Sequence, residues 1–301
     1  MRSHTPIPAR GLVFLLAALW LLLAGAAPAS AIVGGVPDGR AHPNVGLLAF
    51  DADGVGPTPP FQLCTGSVIS DRVFLTARHC IEPPLIQLPP GVEWAVTLEA
   101  GSPTAPIVPG GTFPADYPAC CALTVPESKI ERATGVVLHP DYEPGFVPGT
   151  GAPTVGRHDV AVVLFPAGTF ADVKPVRLAR PGALRHLRPA GRRRGPRFTL
   201  VGYGMETRDG LFYAAGYRKT ARAGFHDLSG NWLQLTNTVG GLPRSGALCY
   251  GDSGSPQFLG GSNIQVSLFH DSAPVCSGIS YSQRLDTRAE RRFLAPYLPT
   301  D

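Results

Sequence analysis

Glycine and proline punctuate this chain so often, 36 and 32 times, that few stretches can hold an uninterrupted helix, and the apolar residues between them fall into short runs. Short runs rich in Val, Leu, Ile and Phe, separated by turn-forming residues, are the pattern of many strands joined by tight connections. Such runs span Val45 to Phe50, Ser67 to Thr76, Trp94 to Leu98, Val136 to His139, Val160 to Phe165, Phe198 to Tyr203, Trp232 to Leu235 and Ile264 to Phe269. The chain is therefore predicted to be all-β. One segment departs from this: from Thr287 to Leu298, Phe293, Leu294, Tyr297 and Leu298 recur among charged residues, which predicts a single amphipathic helix stopped by Pro299. From Glu82 to Pro126 the chain is rich in Pro and Gly apart from one strand and reads as a long surface excursion.

The first residues place Arg2 and Arg10 ahead of an apolar run from Leu12 to Leu23, followed by small residues ending in Ala29-Ser30-Ala31. That order is the signature of a signal peptide, which predicts export. An uncleaved anchor is the weaker reading, because Gly25 and Pro28 close the run short of the roughly 20 apolar residues a span requires. Removing residues 1–31 takes away two arginines and no acid, so the charge falls by two from +4. That small balance predicts no nucleic-acid partner, and after cleavage no membrane association. The run Arg192-Arg193-Arg194 between glycines reads as a solvated loop.

The six cysteines form an even set in a chain with an export signal, which favours disulfides over metal ligation. The histidines are scattered and none forms a His-Glu-x-x-His cluster, so neither a metal nor another cofactor is expected.

Gly251-Asp252-Ser253-Gly254-Ser255-Pro256 carries the strongest chemical signal. Glycines on both sides of Ser253 let the backbone turn tightly, exposing a hydroxyl and aiming N–H groups at one point. A serine hydroxyl needs a positioned base near neutral pH, and His79, at the end of an apolar strand in Leu75-Thr76-Ala77-Arg78-His79-Cys80, offers one. Asp159 leads directly into Val160-Ala161-Val162-Val163-Leu164 and is drawn toward the core, where an imidazole N–H would compensate its burial. Taken singly, each has a plainer reading: a Gly-rich turn, a histidine beside a disulfide, a turn residue before a strand.

Together these segments resemble the trypsin and chymotrypsin family of serine proteases, in the chain order His, Asp, Ser. Ile32-Val33-Gly34-Gly35 resembles the mature start of such enzymes, His139-Pro140-Asp141-Tyr142 the segment before the aspartate, and Val201-Gly202-Tyr203-Gly204 the opening of a second barrel. The resemblance implies two six-stranded antiparallel β-barrels packed with the active site between them, plus a C-terminal helix. Barrels of about 32–180 and 197–301, joined by a linker of about 181–196, would follow the signal peptide. It implies a monomeric, secreted endopeptidase acting on protein or peptide substrates, with His79, Asp159 and Ser253 as catalytic residues and the N–H groups of Gly251 and Ser253 as the oxyanion hole. It further implies disulfides Cys64–Cys80 and Cys249–Cys276, leaving Cys120 and Cys121 to a vicinal disulfide, free thiols or another chain.

In this family the new amino terminus pairs with the aspartate before the nucleophile, here Ile32 with Asp252. Ala31 directly precedes Ile32, so signal cleavage itself would create the activating terminus and no propeptide is expected. By the same resemblance Ser267 supports Asp159. Counting back from Ser253, the pocket floor falls on Ala247, where a trypsin-like enzyme carries an aspartate, and Phe269 stands at the pocket entrance. Both imply a shallow apolar pocket and cleavage after small or medium apolar residues, unless His270 and Asp271 enter through a shifted alignment.

Three departures stand against the family pattern: Arg78 replaces a small residue before the histidine, Ser255 replaces a glycine, and the span from His79 to Asp159 is unusually long. Arg78 must either reach outward or perturb His79. A second reading is therefore a catalytically weak binding protein on a protease scaffold. An esterase of the α/β-hydrolase class fails on order, because no acid and histidine follow Ser253 in the required sequence.

Overall fold

The computed structural model describes residues 32–51, 61–82, 91–101, 125–144, 157–187, 196–208, 211–214, 217–240, 243–272 and 276–299. The expected signal peptide (residues 1–31), Cys120, Cys121, the arginine run and most of the 82–126 excursion lie outside these residues.

The architecture is all-β, built on two large antiparallel sheets. The strands are β1 (Val36–Pro37), β2 (Val45–Asp51), β3 (Phe61–Ser70), β4 (Val73–Thr76), β5 (Glu93–Thr97), β6 (Glu131–Arg132), β7 (Gly135–Leu138) and β8 (Ala161–Leu164). They continue with β9 (Arg177–Leu178), β10 (Arg197–Gly202), β11 (Met205–Arg208), β12 (Leu211–Ala214), β13 (Lys219–Ser229), β14 (Trp232–Asn237), β15 (Pro256–Leu259), β16 (Ile264–Ser272) and β17 (Gly278–Arg284). The first sheet runs β6-β5-β2-β3-β4-β8-β7 and is curled. In the second, the path β13-β10-β15-β16-β17-β14 closes on itself because β14 also pairs β13, giving a six-stranded barrel. Strands β11 and β12 form a separate hairpin.

Two short strands join the second sheet from afar. β1 pairs antiparallel with β13, and β9 pairs parallel with β16. The predicted run from Ser67 to Thr76 is broken by a turn at Asp71 and Arg72, so its halves belong to β3 and β4 and pair with each other. The predicted C-terminal helix spans Arg288–Leu294, its first turn capped by the Thr287 hydroxyl, which accepts from the Glu290 N–H. It tightens to a 3-10 turn over Ala295–Tyr297 because Pro296 has no N–H to continue the α-helical ladder.

Every residue of β2 is buried, and β8 buries Ala161, Val162 and Val163, so these strands read as apolar runs rather than alternations. The main apolar cluster draws on both sheets, from Val45, Leu75 and Val162 to Tyr203, Cys249 and Leu268. A second fills the closed barrel around Ile32, Phe198, Leu235 and Phe269. At the junction lies a fully buried cation, Arg218. Its guanidinium pairs with Asp38 at 2.9 Å and donates to the carbonyls of Gly39, Val45 and Leu98 and to the Tyr203 hydroxyl. All five of its contacts satisfy a charge that burial would otherwise make costly.

Candidate active site

His79 sits on a single helical turn, Arg78–Ile81, that follows β4. The structure joins Cys64 on β3 to Cys80, so the turn is fastened to the adjacent strand. Asp159 lies fully buried just ahead of β8, which pairs with β4, so the end of one strand delivers the imidazole and the start of its neighbour the carboxylate. Asp159 Oδ1 accepts the His79 backbone N–H at 2.9 Å, and Oδ2 meets His79 Nδ1 at 2.7 Å. An ionised carboxylate only accepts, so His79 Nδ1 carries the proton and Nε2 presents a lone pair.

The electrostatics are consistent with this arrangement. Burial opposes ionisation of Asp159, yet the His79 charge and the His270 hydrogen bond hold its carboxyl well below the usual carboxylate range. Burial alone would lower His79, but Asp159 outweighs it and raises the imidazole above 6.5.

Ser253 is half-buried on the connection into β15. Thr65, the residue after Cys64, ties this connection to the histidine side. Its N–H donates to the Ser253 carbonyl at 2.9 Å, its hydroxyl to the Gly251 carbonyl at 2.9 Å, and its carbonyl accepts the Thr76 hydroxyl. Gly254 has φ +81°, and a Cβ there would collide with Thr76 Oγ1, the Thr65 carbonyl and the Ala77 nitrogen. The backbone beside Ser253 thus packs directly on the segment two residues before His79. Among the described residues no group takes the Ser253 hydroxyl in a hydrogen bond. Gly251 also adopts positive φ, +84°, a conformation that glycine takes without strain.

Asp252 is fully buried, and its two oxygens accept the N–H groups of Gly204 at 2.8 Å and Cys249 at 2.9 Å. Burial pushes its pKa up to about 7. Gly202 and Gly204 press against this carboxylate with no room for a Cβ. Ile32 is also fully buried, with its side chain in the second cluster, and Val33 exchanges both backbone hydrogen bonds with Ala247 at 2.9 Å. The Ile32 nitrogen in this uncut chain is an amide and bears no charge. Cys249 pairs with Cys276, and Ala247 is buried and contributes no counter-charge.

Two expected roles are corrected. The Ser267 hydroxyl donates to Gln257 Oε1 at 2.8 Å and does not reach Asp159. Phe269 is buried in the closed barrel's core and does not stand at a pocket entrance. His270, which the sequence allows near the site only through a shifted alignment, meets Asp159 Oδ2 through Nδ1 at 2.6 Å.

Arg78 turns outward. Its guanidinium donates to the His139 carbonyl at 2.6 Å and to Glu82, and lies 4.7 Å from the Tyr142 ring centroid. It braces the segment leading toward Asp159 through the His139 carbonyl.

Two triads of potential metal ligands occur among the described residues outside the disulfides. In His79, Asp159 and His270, both imidazole nitrogens face one carboxylate oxygen and are matched as N–H donors. In His139, His158 and Glu290, the two rings stack 4.5 Å apart at 10°, and an ion cannot lie in both near-parallel ring planes at once. Neither arrangement suits a metal. The second instead ties the residue before Asp159 to the C-terminal helix through His158 Nδ1 and Glu290 Oε1, 2.6 Å apart.

Solved structures align over most of the chain, two of them as follows. HL collagenase matches with TM-score 0.58 and 16% identity, covering 89% of this chain and 100% of that one. Human heparin binding protein matches with TM-score 0.54 and 16% identity, covering 89% and 96%. No sequence-family profile and no curated protein sequence matches the chain. At this identity the likeness establishes the fold, which is the two-barrel chymotrypsin fold.

Proposed function

We propose that this chain is an exported serine endopeptidase that cleaves peptide bonds through an acyl-enzyme. His79 takes the proton of Ser253, Asp159 fixes and stabilises the imidazole, and the N–H groups of Gly251 and Ser253 hold the developing oxyanion. The observation that carries this reading is the buried Asp159, which takes both the backbone and the ring N–H of His79 beside a glycine-flanked serine. The two disulfides agree with an oxidising, extracellular setting. Release of residues 1–31 would free the Ile32 amine to pair with Asp252 and order the oxyanion loop.

With Phe269 in the core, the preference for small or medium apolar residues rests on Ala247 alone. A peptide library that returned a strong preference for Arg or Lys would overturn it.

A second reading, a binding protein on the same scaffold, is favoured by the Ser253 hydroxyl that no described group takes. One aligned structure is named for binding heparin and the other for cleaving collagen, so the fold alone does not choose. A fluorophosphonate probe applied to chain beginning at Ile32 does. We expect covalent labelling in the wild type and none in Ser253→Ala; an unlabelled wild type would leave the binder.

A further inference from the structure

Asp159 Oδ2 is shared. His79 Nδ1 lies 2.7 Å from it and His270 Nδ1 2.6 Å, while Oδ1 takes the His79 backbone N–H. A carboxylate held ionised offers only lone pairs, so each nitrogen must present a hydrogen, and both imidazoles are set as Nδ1–H tautomers. The two rings meet edge to face with centroids 5.4 Å apart, and the Trp232 ring packs on His270 at 4.7 Å. His270 is 2% exposed, so water does not substitute freely for either contact.

The backbone explains how a histidine reaches this place. Between β16 and β17 the register runs Phe269 to Ser282 and then Asp271 to Tyr281, so His270 is the extra residue of a bulge. A bulge re-aims a side chain that regular pleating would send elsewhere. Here Phe269 enters the barrel core while His270 turns to Asp159. The same bulged strand holds the nucleophile loop: the Phe269 carbonyl accepts the Gly254 N–H at 2.8 Å, and the Phe269 N–H donates to the Ser255 carbonyl at 2.9 Å. Two consecutive residues therefore fix the loop of Ser253 on one side and the carboxylate that orients His79 on the other.

We propose that His270 is a positioning residue for the reaction, a second imidazole that clamps Asp159 through the oxygen it shares with His79 and locks it in register with the Ser253 loop. Its effect on turnover rests on the peptidase reading; its hydrogen bond does not. Without the Nδ1–H donor, Asp159 can rotate, and His79 loses the alignment on which proton transfer depends.

The test uses chain beginning at Ile32 and the variants His270→Phe, which keeps a ring but no donor, and His270→Asn, whose amide N–H stands near the Nδ1 position. We expect His270→Phe to lower kcat about 10- to 100-fold with KM for a peptide substrate unchanged, as outer positioning groups typically do. His270→Asn should recover most of that loss. Wild-type kcat in His270→Phe, or equal losses in both variants, would overturn the proposal in favour of simple ring packing against Trp232. Proton–nitrogen NMR of histidine-labelled Ser253→Ala chain gives a readout independent of turnover. Two protected Nδ1–H signals are expected, both displaced in Asp159→Asn, and a His270 ring protonated only at Nε2 would refute the clamp. If the wild type resists the fluorophosphonate probe, the peptidase reading fails while these NMR signals still decide the clamp.

Discussion

Cleavage before Ile32 would convert one amide nitrogen into an ammonium, and the burial of Asp252 sets the scale of the effect. In the uncut chain Asp252 is fully buried, and burial pushes its pKa up to about 7 from 3.8, against the opposing pull of the Cys249 and Gly204 N–H groups and of Lys219. A raised carboxyl pKa means that the folded state keeps a proton the unfolded chain has lost. The stability from this group is therefore fully present below about pH 4, falls as pH rises, and is lost above about pH 7. A displacement of about three pH units at about 1.36 kcal/mol each amounts to about 4 kcal/mol. An Ile32 ammonium beside Asp252 would hold the carboxylate ionised and remove most of that penalty. Urea unfolding of Ser253→Ala chain, which cannot digest itself, measures this. The comparison is between chain that begins at Ile32 and chain that retains residues before it, from about pH 4 to about pH 8. The longer form should lose stability across this window by several kcal/mol more than the shorter, and Asp252→Asn in the longer form should abolish the excess. Equal pH slopes in the two forms would refute the pairing. The shorter form should in turn weaken at alkaline pH, as the amine passes its own raised pKa and the pair is lost.

Two further outcomes follow from the site. Gly254→Ala places a Cβ against the Thr65 carbonyl and the Ala77 nitrogen at φ +81°, and should cost about 1–3 kcal/mol in thermal unfolding and slow probe labelling of Ser253; a variant as stable and reactive as wild type would contradict this packing. Asp159 raises His79 above 6.5 despite burial, so kcat/KM should fall as pH drops through that raised value, and Asp159→Asn should move the acid limb to lower pH. An acid limb that stays in place would assign it to another group.

The strands legible in the sequence are those whose apolar runs are buried on both faces, such as Val45–Asp51 and Ala161–Leu164, and Asp159 was legible because it leads into such a run. The longest strand, Lys219–Ser229, was not. Its inward positions include Lys219, Ala221 and Ala223, which are charged or small, so period-two burial left no apolar alternation to read. The two-residue strands β1 and β9 depend on partners far along the chain and carry no local signal. His270 was hidden for a different reason: one extra residue in a strand reverses which side chains face the site, and no local propensity announces a bulge. His79 and Ser253 lie in short motifs and were visible as such, whereas the second imidazole on Asp159 Oδ2 is set by register.

Arg218 has a consequence for how the molecule comes apart. It stands at the threshold of β13 in the closed barrel, yet its guanidinium is anchored to the backbone at Val45 and Leu98 in the other sheet and at Gly39 near the start of the described chain. Separating the barrels would strip that cation of its Val45 and Leu98 acceptors, and would also divide an apolar cluster that spans both. The two barrels therefore share one cation and one apolar cluster, so loosening either removes contacts that hold the other.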